Sequence, residues 1–71
     1  MTTKPLKNKL KVYRAMHDWT QEELARRVDV TRKTINTVEN GKYVPSTYLA
    51  LKIARAFDVP VEALFQLDDE G

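Results

Sequence analysis

Apolar residues recur at helical spacing through most of this chain, and the breaks between the runs mark where elements end. Leu24, Ala25 and Val28 share one face while Glu22, Arg26 and Arg27 take the other, which predicts a short amphipathic helix opening after Thr20. Thr20 and Glu23 have the spacing of a capping box, and Trp19 and Leu24 occupy the two positions of a hydrophobic staple. Val28-Asp29-Val30 breaks the rhythm. Thr31 restarts it as a second cap, with Ile35 and Val38 inward and Arg32, Lys33, Asn36 and Thr37 outward. Asn40-Gly41 then supplies residues that tolerate the left-handed backbone at a helix end. Helices this short do not stand alone, because nucleation is costly and their stability comes from packing. They must lean on each other. Ala25 permits a close crossing, and Val30 and Ile35 fill the angle between the two, so residues 20–40 form a helix-turn-helix.

The flanking segments complete a small core. Leu6 to His17, or a stretch starting only at Asn8, reads as a first helix, with Leu10, Tyr13 and Arg14 on its inner face. Arg14 is a misfit there, since an unpaired buried charge is expensive, and Glu39 at the end of the second motif helix is its candidate partner. Beyond Gly41, Pro45 stiffens a loop and Ser46 caps a helix from Thr47 to Phe57, whose stripe is Leu49, Ala50, Ile53, Ala54 and Phe57. Asp58-Val59-Pro60 stops it, and Pro60 opens a fifth short helix, Val61 to Phe65. The expected fold is all-α: five helices around one core, one domain over residues 1–71 with its core from about 6 to 67.

The run TQEELA–VDVTRKTINTVENGKYVPS resembles the lambda-repressor-like, Cro/cI-type helix-turn-helix proteins, and the resemblance extends from about Leu10 to Phe65. One departure is Asp29, where that family usually has Gly in the turn; Asp tolerates a positive φ better than most residues. The resemblance implies an Arg14–Glu39 ion pair with a structural role. It also implies that the two termini can pair as a small antiparallel ribbon, here Lys4–Lys7 with Gln66–Asp68.

Composition narrows the function. There is no cysteine, hence no disulfide framework and no thiolate metal site, and no apolar run approaches the ~20 residues of a membrane span. With no signal-peptide core behind Met1, the chain is expected to be cytoplasmic. Residues 1–43 hold ten Lys/Arg against five Asp/Glu, whereas residues 44–71 hold two against five. A basic front and an acidic tail suit a protein that meets a polyanion with one face. Enzymatic chemistry has no foothold: His17 is the only histidine and lacks a nucleophilic partner, and no glycine loop exists to cradle phosphate. No cofactor or metal is implied. The terminal Asp68-Asp69-Glu70 reads as a solvated tail.

The expected function is therefore sequence-specific binding of double-stranded DNA by a transcriptional regulator. In the docking geometry of related repressors, Arg32 and Lys33 reach guanine edges, Asn36 reads adenine and the Thr37 methyl packs on thymine. Thr20, Gln21, Thr31, Asn40, Lys42 and Tyr43 are the candidate phosphate contacts, with Lys7, Lys9 and Lys11 as weaker ones. A single helix reads too few base pairs to find a site in a genome, so a homodimer on a near-palindromic operator is expected. Val61, Leu64, Phe65 and Leu67 are the candidate interface, although Leu64 and Val61 also suit closure of the core. In so short a chain, repression by promoter occupancy is the simplest mode. The alternative is a protein-interaction module, such as an antitoxin or a bridging coactivator.

Overall fold

In the computed structural model, which describes residues 6–67, a two-stranded ribbon closes a ring of helices. The elements are β1 (Leu6–Asn8), α1 (Leu10–His17), α2 (Gln21–Arg27), α3 (Arg32–Glu39), α4 (Thr47–Phe57), α5 (Val61–Leu64) and β2 (Phe65–Leu67). The strands are antiparallel, with Leu6 opposite Leu67, Lys7 opposite Gln66 and Asn8 opposite Phe65. Leu10, Leu24, Val28, Ile35, Val38, Ile53, Phe57 and Leu64 fill the core, with Ala25 buried where α2 meets α3. Each large aliphatic side chain fully withdrawn from water contributes about 1.5–3 kcal/mol.

Helix starts follow the hydroxyl signals. Thr20, Thr31 and Ser46 each accept the backbone N–H three residues on, at 3.0, 3.2 and 3.1 Å. The reciprocal arm of the capping box is not made, because Glu23 turns its carboxylate to Arg26 and Arg27 at 2.6 and 2.7 Å.

The ends of α1 to α4 share one construction. A left-handed residue follows each helix, and two backbone bonds close it in the Schellman pattern: Trp19 to Arg14 with Asp18 to Ala15, Val30 to Ala25 with Asp29 to Arg26, Lys42 to Thr37 with Gly41 to Val38, and Val59 to Ala54 with Asp58 to Arg55. Three of the four left-handed positions are aspartates, Asp18, Asp29 and Asp58, with φ of 61°, 62° and 59°. Asp29 is thus one instance of a repeated solution, in which a short polar side chain stands where glycine is the commoner choice. In three of the four turns the next residue is apolar, and Trp19, Val30 and Val59 all pack on the core. Lys42 is the exception. It occupies the same slot after α3 and its side chain is exposed.

Two boundaries differ from expectation. Leu6–Asn8 is a strand and α1 begins at Leu10, because Asn8 accepts from the Leu10 N–H at 3.2 Å and its amide donates to the Val38 carbonyl at 3.0 Å. Those bonds hold the segment extended beside β2. At the other end α5 stops at Leu64, and Phe65 belongs to β2 with φ −123° and ψ 128°; Pro60 is the residue preceding the helix rather than its first turn. The expected ribbon is present but displaced, and its Lys4, Pro5 and Asp68 lie outside the described residues.

Candidate nucleic-acid interface

The geometry of α3 is set from within. Ile35 and Val38 are buried, so the opposite strip faces away from the core. Arg32 and Lys33 at its N-terminal end are exposed, while Asn36 and Thr37 are half-buried one turn on. Thr37 spends its hydroxyl proton on the Thr34 carbonyl at 2.9 Å, which leaves its methyl as the remaining group for a contact. The Gly41 turn folds back so that Tyr43 joins Lys33, Thr34 and Thr37 around one shallow hollow. Thr34 was not anticipated as part of this surface. Its position one turn from both Thr31 and Thr37 was the available signal, and its hydroxyl lies 3.0 Å from that of Thr31.

Beneath this strip runs a polar network. Arg14 grips Glu39 with two bonds, Nε to Oε2 at 2.5 Å and Nη2 to Oε1 at 3.1 Å, and a third reaches the Trp19 carbonyl at 3.0 Å. Both side chains are largely withdrawn from solvent, at 15% and 7% exposure. Gln21 extends the network: its Nε2 donates to Glu39 Oε1 at 3.1 Å and to Asn36 Oδ1 at 3.2 Å, and its Oε1 accepts from Arg32 Nη1 at 3.4 Å. Gln21 therefore has both amide protons engaged inside the domain. The expectation that its side chain donates to a phosphate is corrected on this point. Its place at the start of α2 still leaves backbone N–H groups at that helix end.

The cations divide into two groups. Arg26 and Arg27 pair with Glu23, and Arg27 also lies over the Trp19 ring at 4.1 Å. The hydrogen bond from Arg26 holds the Glu23 carboxyl below its usual range, and the same bond raises Arg26. By contrast Arg32, Lys33 and Lys42 form no salt bridge among the described residues. Thr20, Thr31, Asn40 and Lys42 are exposed at helix ends, and Tyr43 is about half exposed. Lys7, Lys9 and Lys11 are exposed on β1 and the start of α1.

The spacing of these parts, two helices set by Ala25 with a cationic strip on the second, has counterparts among known proteins. A helix-turn-helix family model matches residues 10–64. The chain belongs to the Cro/cI-type helix-turn-helix family. That family is one of DNA-binding transcriptional regulators and not of enzymes. An uncharacterized HTH-type transcriptional regulator of Methanocaldococcus jannaschii is 52% identical over 65 residues, covering 92% of this chain and 98% of its own length. Among solved structures, the restriction-modification controller protein C.AhdI of Aeromonas hydrophila is similar with a TM-score of 0.71 and 30% identity, covering 76% of this chain and 78% of that one. The SOS-response transcriptional repressor LexA of Eubacterium rectale is similar with a TM-score of 0.75 and 26% identity, covering 87% and 66%.

A second surface of this Cro/cI-type domain lies away from the cationic strip. Tyr48, Leu51, Lys52 and Arg55 follow one another at helical spacing on the outer face of α4, and with Val59, Pro60 and Val61 they line an open groove of about 510 Å³. Tyr48 and Leu51 are 73% and 53% exposed. Of the residues expected at an interface, Val61 lies in this groove. Leu64, also expected there, does not reach any surface: it is fully buried, because α5 turns it into the core, and it offers nothing to a partner. Phe65 is half-buried in the ribbon and Leu67 is 71% exposed at its end.

Proposed function

We propose that this regulator binds double-stranded DNA by laying α3 in the major groove, as a homodimer on a near-palindromic operator, and represses transcription by occupying it. The observation that carries the reading is the placement of Arg32, Lys33 and Lys42: exposed cations on and just after one helix, with no ion pair among the described residues. Arg32 and Lys33 are long enough to reach guanine O6 and N7, Arg bidentately, and Thr37, its hydroxyl proton engaged by the Thr34 carbonyl, has a methyl suited to thymine. Lys42, Tyr43, Asn40, Thr20 and Thr31 would hold the backbone on either side.

Repression is supported by the likeness to the E. rectale repressor. The homodimer is supported by the α4–α5 groove, whose apolar floor carries Lys52 and Arg55 and adjoins Asp58 and Glu62, so a second copy can meet it with both signs of charge. Binding measured across salt concentrations tests the division of roles. Lys42→Ala should weaken all sequences alike and lower the slope of log affinity against log salt by about 0.9. Arg32→Ala should cost about 1–3 kcal/mol and relax the preference at one base position. Loss of affinity in both without any change of preference would contradict direct readout.

A further inference from the structure

We propose that Asn36 is a positioning residue for Arg32 and not a reader of bases. The inference rests on the DNA-binding reading above and assigns a role within it. Two acceptors, Asn36 Oδ1 and Glu39 Oε1, converge on the Gln21 amide at 3.2 and 3.1 Å. A carboxylate accepts only, so the nitrogen of Gln21 must face Glu39, and the side chain has one orientation. Its Oε1 is then left toward Arg32, at 3.4 Å from Nη1. Glu39 is itself immobilised by the two-pronged grip of Arg14. An unbroken chain of donors and acceptors thus runs from the largely buried Arg14 through Glu39 and Gln21 to the exposed Arg32; Glu39 sets which way the Gln21 amide faces, and Asn36 takes its second proton and pins it on the α3 side.

The same geometry takes Asn36 out of contention for adenine. Bidentate reading of adenine requires the amide oxygen and nitrogen to face the base edge together. Here the oxygen is engaged by Gln21 of α2, and only the N–H donors of the amide remain uncommitted. Arg32 gains what Asn36 gives up. A guanidinium held at one edge by Gln21 loses less rotamer freedom when it docks on guanine, so its discrimination between bases rises.

Selection of bound sites from a randomised duplex library, run on the wild-type chain, Arg32→Ala, Asn36→Ala, Gln21→Ala and the Arg32→Ala/Asn36→Ala pair, separates the roles. Thermal melting of each variant confirms folding; Asn36 lies on the half-buried edge of α3, where alanine is a good helix former. The expected result is that Asn36→Ala and Gln21→Ala weaken preference only at the base pair whose preference Arg32→Ala abolishes. Arg32→Ala itself should cost about 5- to 150-fold in discrimination there, and adding Asn36→Ala to it should change nothing further. If Asn36→Ala instead erased preference at a different base pair, Asn36 would be a reader and the proposal would fall while the DNA-binding reading stood. If the wild-type chain enriched no motif at all, both would fall together.

Discussion

At the scale of single residues, two carboxylates on neighbouring helices have opposite weight. Glu23 sits on the surface and meets Arg26 and Arg27, pairs that solvent and salt screen and that add little to stability. Its lowered pKa means that what it does contribute is fully present above the ordinary carboxylate value and is lost as pH falls from there through the lower value of the folded state. Glu39 is 7% exposed and carries Arg14 and Gln21 together. Glu39→Gln should destabilise the domain by about 3 kcal/mol, the lower end of what breaking a buried pair costs, because Arg14 keeps its bond to the Trp19 carbonyl. Urea unfolding checks it, and Glu23→Gln in the same assay should be nearly silent. The pairing of Arg14 with an acid was legible in the sequence because a charge on an apolar face demands a partner. The linkage of Gln21 to Asn36 was not, since it depends on which way two amides point once α2 and α3 have crossed.

At the scale of elements, the helix-turn-helix could be read from hydroxyl caps and apolar spacing, which are local signals. The ribbon and the end of α5 could not be placed as well. Leu6-Lys7-Asn8 is too short to show alternation, and what makes it a strand is a partner about sixty residues away together with Asn8. Asn8 ties three elements: it receives the first N–H of α1, donates to the Val38 carbonyl at the end of α3, and lies opposite Phe65 in the ribbon. Asn8→Ala should therefore cost about 1–3 kcal/mol, chiefly through the Leu10 N–H left without a partner, since the Val38 carbonyl keeps the Gly41 N–H. The loss should appear in hydrogen exchange as faster opening of β1, β2 and the last turn of α3, ahead of α4. Uniform opening of the whole domain would show that Asn8 has no such local role. The repeated aspartates at left-handed helix ends were also hidden, because only Asp29 stood out against the glycine of the family.

At the scale of the whole molecule, the dimensions of the domain suit the proposed pair. The domain measures 34 × 23 × 22 Å, so two copies in contact place their centres between about 22 and 34 Å apart. Half-sites one turn of duplex apart are about 34–36 Å from centre to centre, which recognition helices on the outer parts of such a pair can span. Contact through the α4–α5 groove leads to a direct expectation. Leu51→Glu should shift the chain from dimer to monomer in sedimentation at micromolar concentration while leaving its melting curve near wild type, since Leu51 lies outside the core. Dimerisation unchanged by Leu51→Glu would assign the contact to another surface, such as the exposed Leu67 at the ribbon's end. The proposed role of the pair depends on α3, whose outer strip is to read base edges. Comparing the sites selected from random duplexes by the wild-type chain and by Arg32→Ala tests it most directly. The expected outcome is a near-palindromic motif with half-sites about one helical turn apart, from which Arg32→Ala removes the same base pair in each half. Motifs identical for the two proteins, or none for either, would contradict it.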